Sequence, residues 1–360
     1  MQKNLQNKNY FKIGNTKVNG GKTFVVAEIS ANHNNSFSRL KQLIYKAKEA
    51  GADAVKLQTF TADTITLNSN NADFSLGYLK KNKNWRKFKN YYQMYKVASM
   101  PWEWHKDLFK LAKKIKIEIF SSPFDESAVD FLEKLNCVAY KVASSEITHI
   151  PLLEKIAKTK KPVIVSTGLA KENDITTALK ILKKNGNKKI IILKCNSSYP
   201  AKPQESDIKN ISYLEKKFKF PVGLSDHSIG DTAAITAVSL GACMLEKHIN
   251  LSDKVKTLDS FFSTPYKKFK EMIKKIREVE SILGIYKYRI SKGSIPNLRS
   301  RRSIYVSKNI PKGGSICESN IKIVRPSFGL HPKYYNKIIG KRVKRNLLKG
   351  QRLKVQYIKM

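Results

Sequence analysis

The amino-acid sequence predicts an α/β protein, a (β/α)8 TIM barrel followed by a small β-rich domain. Eight apolar runs of strand length alternate with amphipathic helical patterns over about 260 residues. Polar and ionisable residues stand at the end of nearly every run, where barrel enzymes place their chemistry. Beyond residue 284 the alternation stops, and short β-branched runs separated by Pro and Gly take over.

In chain order the strand-like runs are FVVAEIS (24–30), AVKLQ (54–58), IEIFS (117–121), VAYKV (138–142), PVIVS (162–166), KIIILKC (189–195), PVGLS (221–225) and CMLEKH (243–248). They are short and largely β-branched or aromatic, which favours strands. SRLKQLIYKAKEA (38–50) and ESAVDFLEKL (126–135) repeat their apolar residues at three and four positions, so each reads as a helix with one buried face. YKKFKEMIKKIREVESILG (266–284) reads as the eighth helix. A doubly wound open sheet is the alternative, but it would place a glycine-rich turn after the first strand, and AEISANHNNS contains none. The barrel is therefore assigned to residues 1–287, a linker to 288–300 and the β-rich domain to 301–360.

A chain of 360 residues with 41% hydrophobic content can bury a large core. No apolar run approaches the ~20 residues of a membrane span. The start, MQKNLQNKNYFK, lacks the apolar stretch of a signal peptide, so the expected compartment is the cytoplasm. Cys137, Cys195, Cys243 and Cys317 lie far apart without CxxC spacing and read as reduced thiols with no assigned role. The net charge is +41, and residues 288–360 hold 19 Lys and Arg against the single acidic Glu318. Such a surplus raises polyanion binding as a possibility. The lysines are nevertheless spread along the whole chain without a nucleic-acid-binding motif, which fits solvated faces better. Neither a membrane nor a nucleic acid is an expected partner.

The strand-end residues divide by chemistry. Lys56, Gln58, Ser122, Lys141, Ser144, Ser197 and Ser225 are cationic and neutral donors of the kind that hold a phosphate or carboxylate. His227 and His248 end the last two runs and could share a divalent ion if those strands are neighbours; a lone histidine would read as a hydrogen-bonded core residue, but the pairing favours the metal reading. Glu28 and Glu146 would be acid/base or hydroxyl-holding carboxylates, kept ionised by so cationic a site, or else ion-pair partners of Lys56 and Lys141.

The segments AEISANHNNS, GADAVKLQTFTADT, PWEWHK, FSSPFDESAVDFL, YKVASSE, STGLA, KCNSSYPA, VGLSDHS and EKHI, in that order, resemble the sialic acid synthase family. PWEWHK and KLQTFTADT are most similar to its pseudaminic acid synthase branch. RRSIYVSKNIPKGGSICESNIKIVRPSFGL is similar to the antifreeze-like (SAF) domain that closes these enzymes. The resemblance implies condensation of phosphoenolpyruvate with the aldehyde of an N-acetylated amino sugar, giving a nine-carbon acid and phosphate. For the pseudaminic branch that sugar is 2,4-diacetamido-2,4,6-trideoxy-L-altrose. It further implies that Lys56, Gln58, Ser122, Lys141, Ser144, Ser197 and Ser225 hold phosphoenolpyruvate, and that His227 and His248 hold a divalent ion (manganese, magnesium or cobalt). Glu28, Glu146, Tyr199 and Asp259 would face the sugar or the attacking water. In a domain-swapped homodimer, Arg325 would reach the sugar in the partner's barrel.

The family pattern is not met everywhere. Asn35 stands where NHNG has its glycine, which is tolerable because Asn enters positive φ more readily than other side chains. Ser327 replaces the glycine of RPG, and Ser122 and Ser197 replace a Thr and an Asn. An N-acetylneuraminate or legionaminate synthase is the nearest alternative, and a non-catalytic polyanion-binding scaffold the alternative of another class. A scaffold would not need both histidines, both lysines and both glutamates together.

Overall fold

A computed structural model describes residues 10–77, 79, 84–285 and 287–359. Residues 1–9, most of the stretch read above for a signal peptide, lie outside the described residues. The chain forms two compact units that meet in sequence at Gly284 and Ile285.

The first unit opens with an antiparallel hairpin, β1 (Phe11–Ile13) and β2 (Thr16–Val18). Then come β3 (Phe24–Glu28), β4 (Ala54–Thr59), β5 (Glu118–Pro123), β6 (Tyr140–Val142), β7 (Val163–Ser166), β8 (Ile190–Cys195), β9 (Val222–Asp226) and β10 (Met244–Asn250). These eight strands pair in parallel in chain order, and β10 pairs with both β9 and β3, which closes the barrel. The short β11 (Thr264–Pro265) extends β10. All eight predicted strands are present, with their starts within about two residues of expectation. Both faces of these strands are buried, so they read as apolar runs without alternation.

Around the barrel lie α1 (Phe37–Ala50), α2 (Ala62–Ile65), α3 (Tyr91–Ala98), α4 (Trp104–Ile115), α5 (Glu126–Lys134), α6 (Ile150–Lys158), α7 (Glu172–Lys184), α8 (Asn210–Phe218), α9 (Thr232–Ser239) and α10 (Tyr266–Leu283). Local chemistry sets their ends. The Ser36 hydroxyl accepts the Arg39 N–H at the start of α1, and Gly51 at φ 91° stops it in the left-handed conformation. Leu40, Leu43, Ile44, Ala47 and Ala50 make its buried stripe. No helix among the described residues is long and apolar enough to cross a membrane.

Two features were not legible in the periodicity. The hairpin sits against the N-terminal ends of the strands, because the Asn15 N–H donates to Glu118 Oε1 at 2.8 Å at the start of β5, while Ile13 and Val18 join the main core. The described residues between β4 and α4 form an excursion with its own small core. Leu76 and Met94 pack there with Ala31 and Leu258, and Trp85, Phe88, Tyr91 and Tyr95 surround them.

The second unit is built on β12 (Ser303–Val306) and β13 (Ile321–Val324), paired antiparallel, with α11 (Tyr335–Ile338). Isolated bridges such as Ile310 to Leu347 and Val343 to Ile358 complete a β-rich unit around Ile304, Ile316, Val343, Leu347 and Leu353. Residues 292–300, within the stretch read as a linker, form 3-10 turns and group with this unit. The Ser327 N–H donates to Arg299 O at 3.1 Å, and its hydroxyl donates to Leu298 O at 2.9 Å. Ser327 lies outside the left-handed region, so the serine in place of the RPG glycine is accommodated without strain. Asn35 takes φ 51°, in the left-handed region that asparagine enters more readily than other side chains.

Candidate active site

Strand register assembles the site. Side chains alternate along a strand, so the inward positions of neighbouring strands meet in layers. Glu28 lies opposite both Lys56 and His248, Gln58 opposite Ser122, and Ser225 opposite Glu246. At the C-terminal end of the barrel these residues form one buried polar cluster.

Its centre is two lysines and two glutamates, each under 4% exposed. Lys56 Nζ lies 2.7 Å from Glu28 Oε2 and 3.8 Å from Glu246 Oε1, and Lys141 Nζ lies 2.9 Å from Glu246 Oε1. Lys56 also donates to Ser122 Oγ at 3.2 Å, Ser225 Oγ donates to Glu246 Oε1 at 3.1 Å, and Gln58 donates to Glu28 Oε1 at 2.8 Å. Glu246, within the run CMLEKH, has no role in the sequence reading, and the structure makes it the common partner of both lysines. Lys141 pairs with it and not with Glu146.

Burial works against the expectation that the cations keep the candidate glutamates ionised, most of all at Glu28. Desolvation pushes the Glu28 carboxyl up to about 7, because it outweighs the lowering by Lys56 and is reinforced by the negative charge of Glu246. Burial likewise raises Glu146, against the Ser145 hydroxyl that hydrogen-bonds it. Glu246 is buried too, but Lys141 and Lys56 overcome desolvation and hold it well below the usual range. The cluster thus contains one carboxyl poised near neutrality and one firmly ionised.

Next to the lysines, Gly168 marks a cradle. A Cβ there would lie 2.3 Å from Ser197 Oγ, 3.0 Å from Ser144 Oγ and 3.1 Å from Cys195 Sγ. Only glycine lets the chain after β7 approach these groups so closely. Ser144 Oγ accepts the Gly168 N–H at 3.0 Å, while the buried Ser197 Oγ and Ser166 Oγ have no protein partner among the described residues. Buried hydroxyls without partners, beside two ammonium groups, fit an anion that carries several oxygens.

The histidine rings of adjacent strands β9 and β10 stand 5.2 Å apart between centroids. His227 Nδ1 lies 2.8 Å from Asn196 O, a contact that fixes the ring and leaves Nε2 as its other nitrogen. Burial, then the charges of His227, Lys56 and Lys141, hold His248 well below its usual range, so it presents neutral nitrogen; its buried Nδ1 has no partner among the described residues. Such a pair could hold a divalent ion, with water or substrate oxygen in the other positions. No group of three His, Cys, Asp or Glu among the described residues forms a fuller ligand set.

Cys195, which was given no role, lies buried with Sγ 3.9 Å from His227 Nδ1. Burial raises its thiol, but His227 and Lys141 more than compensate and bring it to about 7. Tyr199 packs on His227 at 4.5 Å between centroids. Asp259 braces the turn after β3, because its carboxylate accepts from the Ser30 hydroxyl and, at 3.3 Å, from the Ala31 N–H. Arg325 belongs to the second unit, where it is exposed and shares a cleft with Arg301, Arg302 and His331. Outward on β10, Lys247 donates to Asp226 Oδ2 at 2.6 Å and Ser228 O at 2.7 Å, a buried pair that pins the segment carrying His227.

A closed parallel barrel with a buried lysine pair, an oxygen-lined cradle and two imidazoles at its C-terminal end has the architecture of a barrel enzyme whose polar end is suited to a small anion. Residues 43–288 match the NeuB family and residues 301–354 the SAF domain, and the chain belongs to the NeuB family. It is 43% identical over 333 residues to the pseudaminic acid synthase of Campylobacter jejuni, covering 92% of this chain and 96% of that one. It is 42% identical to the pseudaminic acid synthase of Helicobacter pylori over 90% of this chain and 94% of that one. The crystal structure of the spore coat polysaccharide biosynthesis protein SpsE from Bacillus subtilis superposes with a TM-score of 0.66 at 30% identity, over 98% of this chain and 99% of that one.

The cradle makes a direct prediction. Gly168→Ala should leave the far-ultraviolet circular dichroism unchanged yet lower affinity for inorganic phosphate at least tenfold, since the added methyl meets Ser197, Ser144 and Cys195. Calorimetric titration with phosphate measures this, and an unchanged affinity would place the anion elsewhere.

Proposed function

We propose that the chain condenses phosphoenolpyruvate with the open-chain aldehyde of 2,4-diacetamido-2,4,6-trideoxy-L-altrose, giving a nine-carbon nonulosonic acid and phosphate, as a pseudaminic acid synthase does. The observation that carries this reading is the lysine pair and hydroxyl cradle set beside two imidazoles, in a chain 43% identical to such a synthase.

Lys56 and Lys141, with Gln58, Ser122, Ser144, Ser197 and Ser225, hold the phosphate and carboxylate of phosphoenolpyruvate. His227 and His248 would hold a divalent ion, which when bound polarises a carbonyl oxygen. The aldehyde lies over the face of the enol, so that C3 forms the new bond and C2 gains cationic character. Glu28, protonated near neutral pH, gives its proton to the alkoxide that develops on the former aldehyde oxygen. Its carboxylate then takes a proton from the water that adds to C2. In the resulting tetrahedral adduct the hydroxyl proton passes to the departing phosphate as its C–O bond breaks, leaving the 2-keto acid, inorganic phosphate and a reprotonated Glu28. Glu246 stays ionised throughout and keeps the two ammonium groups in place. Glu146, Tyr199 and Asp259 face the sugar.

The reading also assigns the barrel to residues 1–287, a connecting segment to 288–300 and the SAF domain to 301–360, in a cytoplasmic enzyme. A head-to-tail homodimer, in which Arg325 of one protomer reaches the sugar in its partner's barrel, would give that exposed guanidinium a carbohydrate ligand.

The test is phosphate release from phosphoenolpyruvate with a divalent ion and candidate sugars in turn. The 2,4-diacetamido-2,4,6-trideoxy sugar should support turnover and N-acetylmannosamine should not; the reverse preference would overturn the sugar assignment, and no release with any sugar the reaction itself.

The dimer is tested by mixing. Lys141→Met and Arg325→Ala should each be inactive alone, and their mixture should regain a substantial fraction of wild-type rate once subunits exchange. No recovery, with exchange shown by fluorescence transfer between labelled protomers, would place Arg325 outside the partner's site.

A further inference from the structure

Aromatic rings extend outward from the two imidazoles at the barrel mouth, and nothing in the chemistry above uses the far end of the chain they form. Phe262 lies 4.7 Å from the His248 ring and 5.0 Å from Tyr199, and Tyr199 lies 4.5 Å from His227. Phe261 follows at 4.9 Å from Phe262, and Trp85 stands edge-on to Phe261 at 5.5 Å and 6.1 Å from Tyr199. The rings come from three separate segments: the excursion after β4, the loop after β8 and the loop after β10.

Trp85 is held where it stands. It packs on the satellite core of Leu76, Met94 and Leu258, and its carbonyl accepts the Phe88 N–H at 3.1 Å. The neighbouring Asn84 amide donates to Thr257 O at 3.3 Å, which ties the excursion to the loop that carries Phe261 and Phe262. Three loops converging on a mutually packed aromatic set is the construction of a rigid wall, since ring pairs fix one another's orientation.

We propose that Trp85 and Phe261, continuing from Tyr199 and Phe262, form an apolar subsite that selects a sugar whose tail ends in a methyl group over the same sugar ending in hydroxymethyl. This inference rests on the condensation proposed above and deepens it by naming what the mouth reads in the sugar. With the aldehyde beside His227 and His248, the tail of the open chain runs outward along the rings. A methyl group there is buried against carbon, whereas a hydroxyl gives up its water and meets ring faces that return no hydrogen bond of comparable strength. Wall and excursion thus determine specificity and take no part in bond making.

Kinetics on matched sugars test it, with the 6-deoxy and 6-hydroxy forms of one N-acetylated sugar read as phosphate release at saturating phosphoenolpyruvate. The wild-type protein should prefer the 6-deoxy form by about tenfold to a hundredfold in kcat/KM, the range that hydrophobic pockets reach against an added hydroxyl. Trp85→Gln should lower kcat/KM for the 6-deoxy sugar about tenfold, chiefly through KM, and leave the 6-hydroxy sugar and the KM for phosphoenolpyruvate unchanged. Trp85→Phe should restore most of the preference, and Phe261→Leu should lose part of it. Equal losses on both sugars, or no change on either, would overturn the proposal, as would a wild-type protein indifferent to the 6-position. Should the protein turn over only monoacetamido sugars, the sugar assignment above fails, while the comparison of 6-deoxy- with ordinary N-acetylmannosamine still decides whether this wall reads the tail.

Discussion

Burying four charges at one end of a closed barrel is the constraint on which the rest of the site depends. Lys56, Lys141, Glu28 and Glu246 are all withdrawn from water, and each unpaired charge there would cost several kcal/mol. Pairing across strands offsets the cost only in one register, the one in which β10 meets both β9 and β3. Closure of the barrel and assembly of the site are therefore the same event. The Lys247–Asp226 pair does the same on the outer side of β10 and holds the His227 segment against it.

Balance within the cluster has a chemical consequence. Two ammonium groups facing two ionised carboxylates would leave little attraction for an incoming anion. Because desolvation brings Glu28 to about 7 while the lysines keep Glu246 ionised, part of the population near neutral pH holds a protonated Glu28 and a cluster of net positive charge. The same proton is then available where an alkoxide develops. In the condensation proposed above, anion capture and proton delivery would thus draw on a single burial effect.

Much of this was legible in the sequence, for physical reasons. A parallel barrel buries both faces of each strand, so its strands appear as apolar runs and any polar residue ending a run stands out, as His227 and His248 do. Lys56 and Lys141 likewise stood out as cations at strand ends, where the fold buries them side by side with carboxylates. What remained hidden depends on distances between strands or loops. Glu246 looked like one more strand-end acid until the register set it between both lysines. Glu28 was read as ionised because composition shows cations but not desolvation. Cys195 read as a core thiol because nothing local announces His227 beside it. Trp85 lies in a turn of the excursion, outside its helices, held by a satellite core that only the folded chain brings together.

The proton on Glu28 is open to direct measurement. Binding of phosphoenolpyruvate should raise that carboxyl further, because like charge disfavours ionisation, so complex formation at about pH 8 should draw a proton from solution. Calorimetric titration in buffers of different ionisation enthalpy reads this as a buffer-dependent binding heat. The account predicts net proton uptake in the wild-type protein that exceeds that in Glu28→Gln. Equal proton counts for the two proteins would contradict it, since Glu28 would then be ionised or protonated alike with and without the anion.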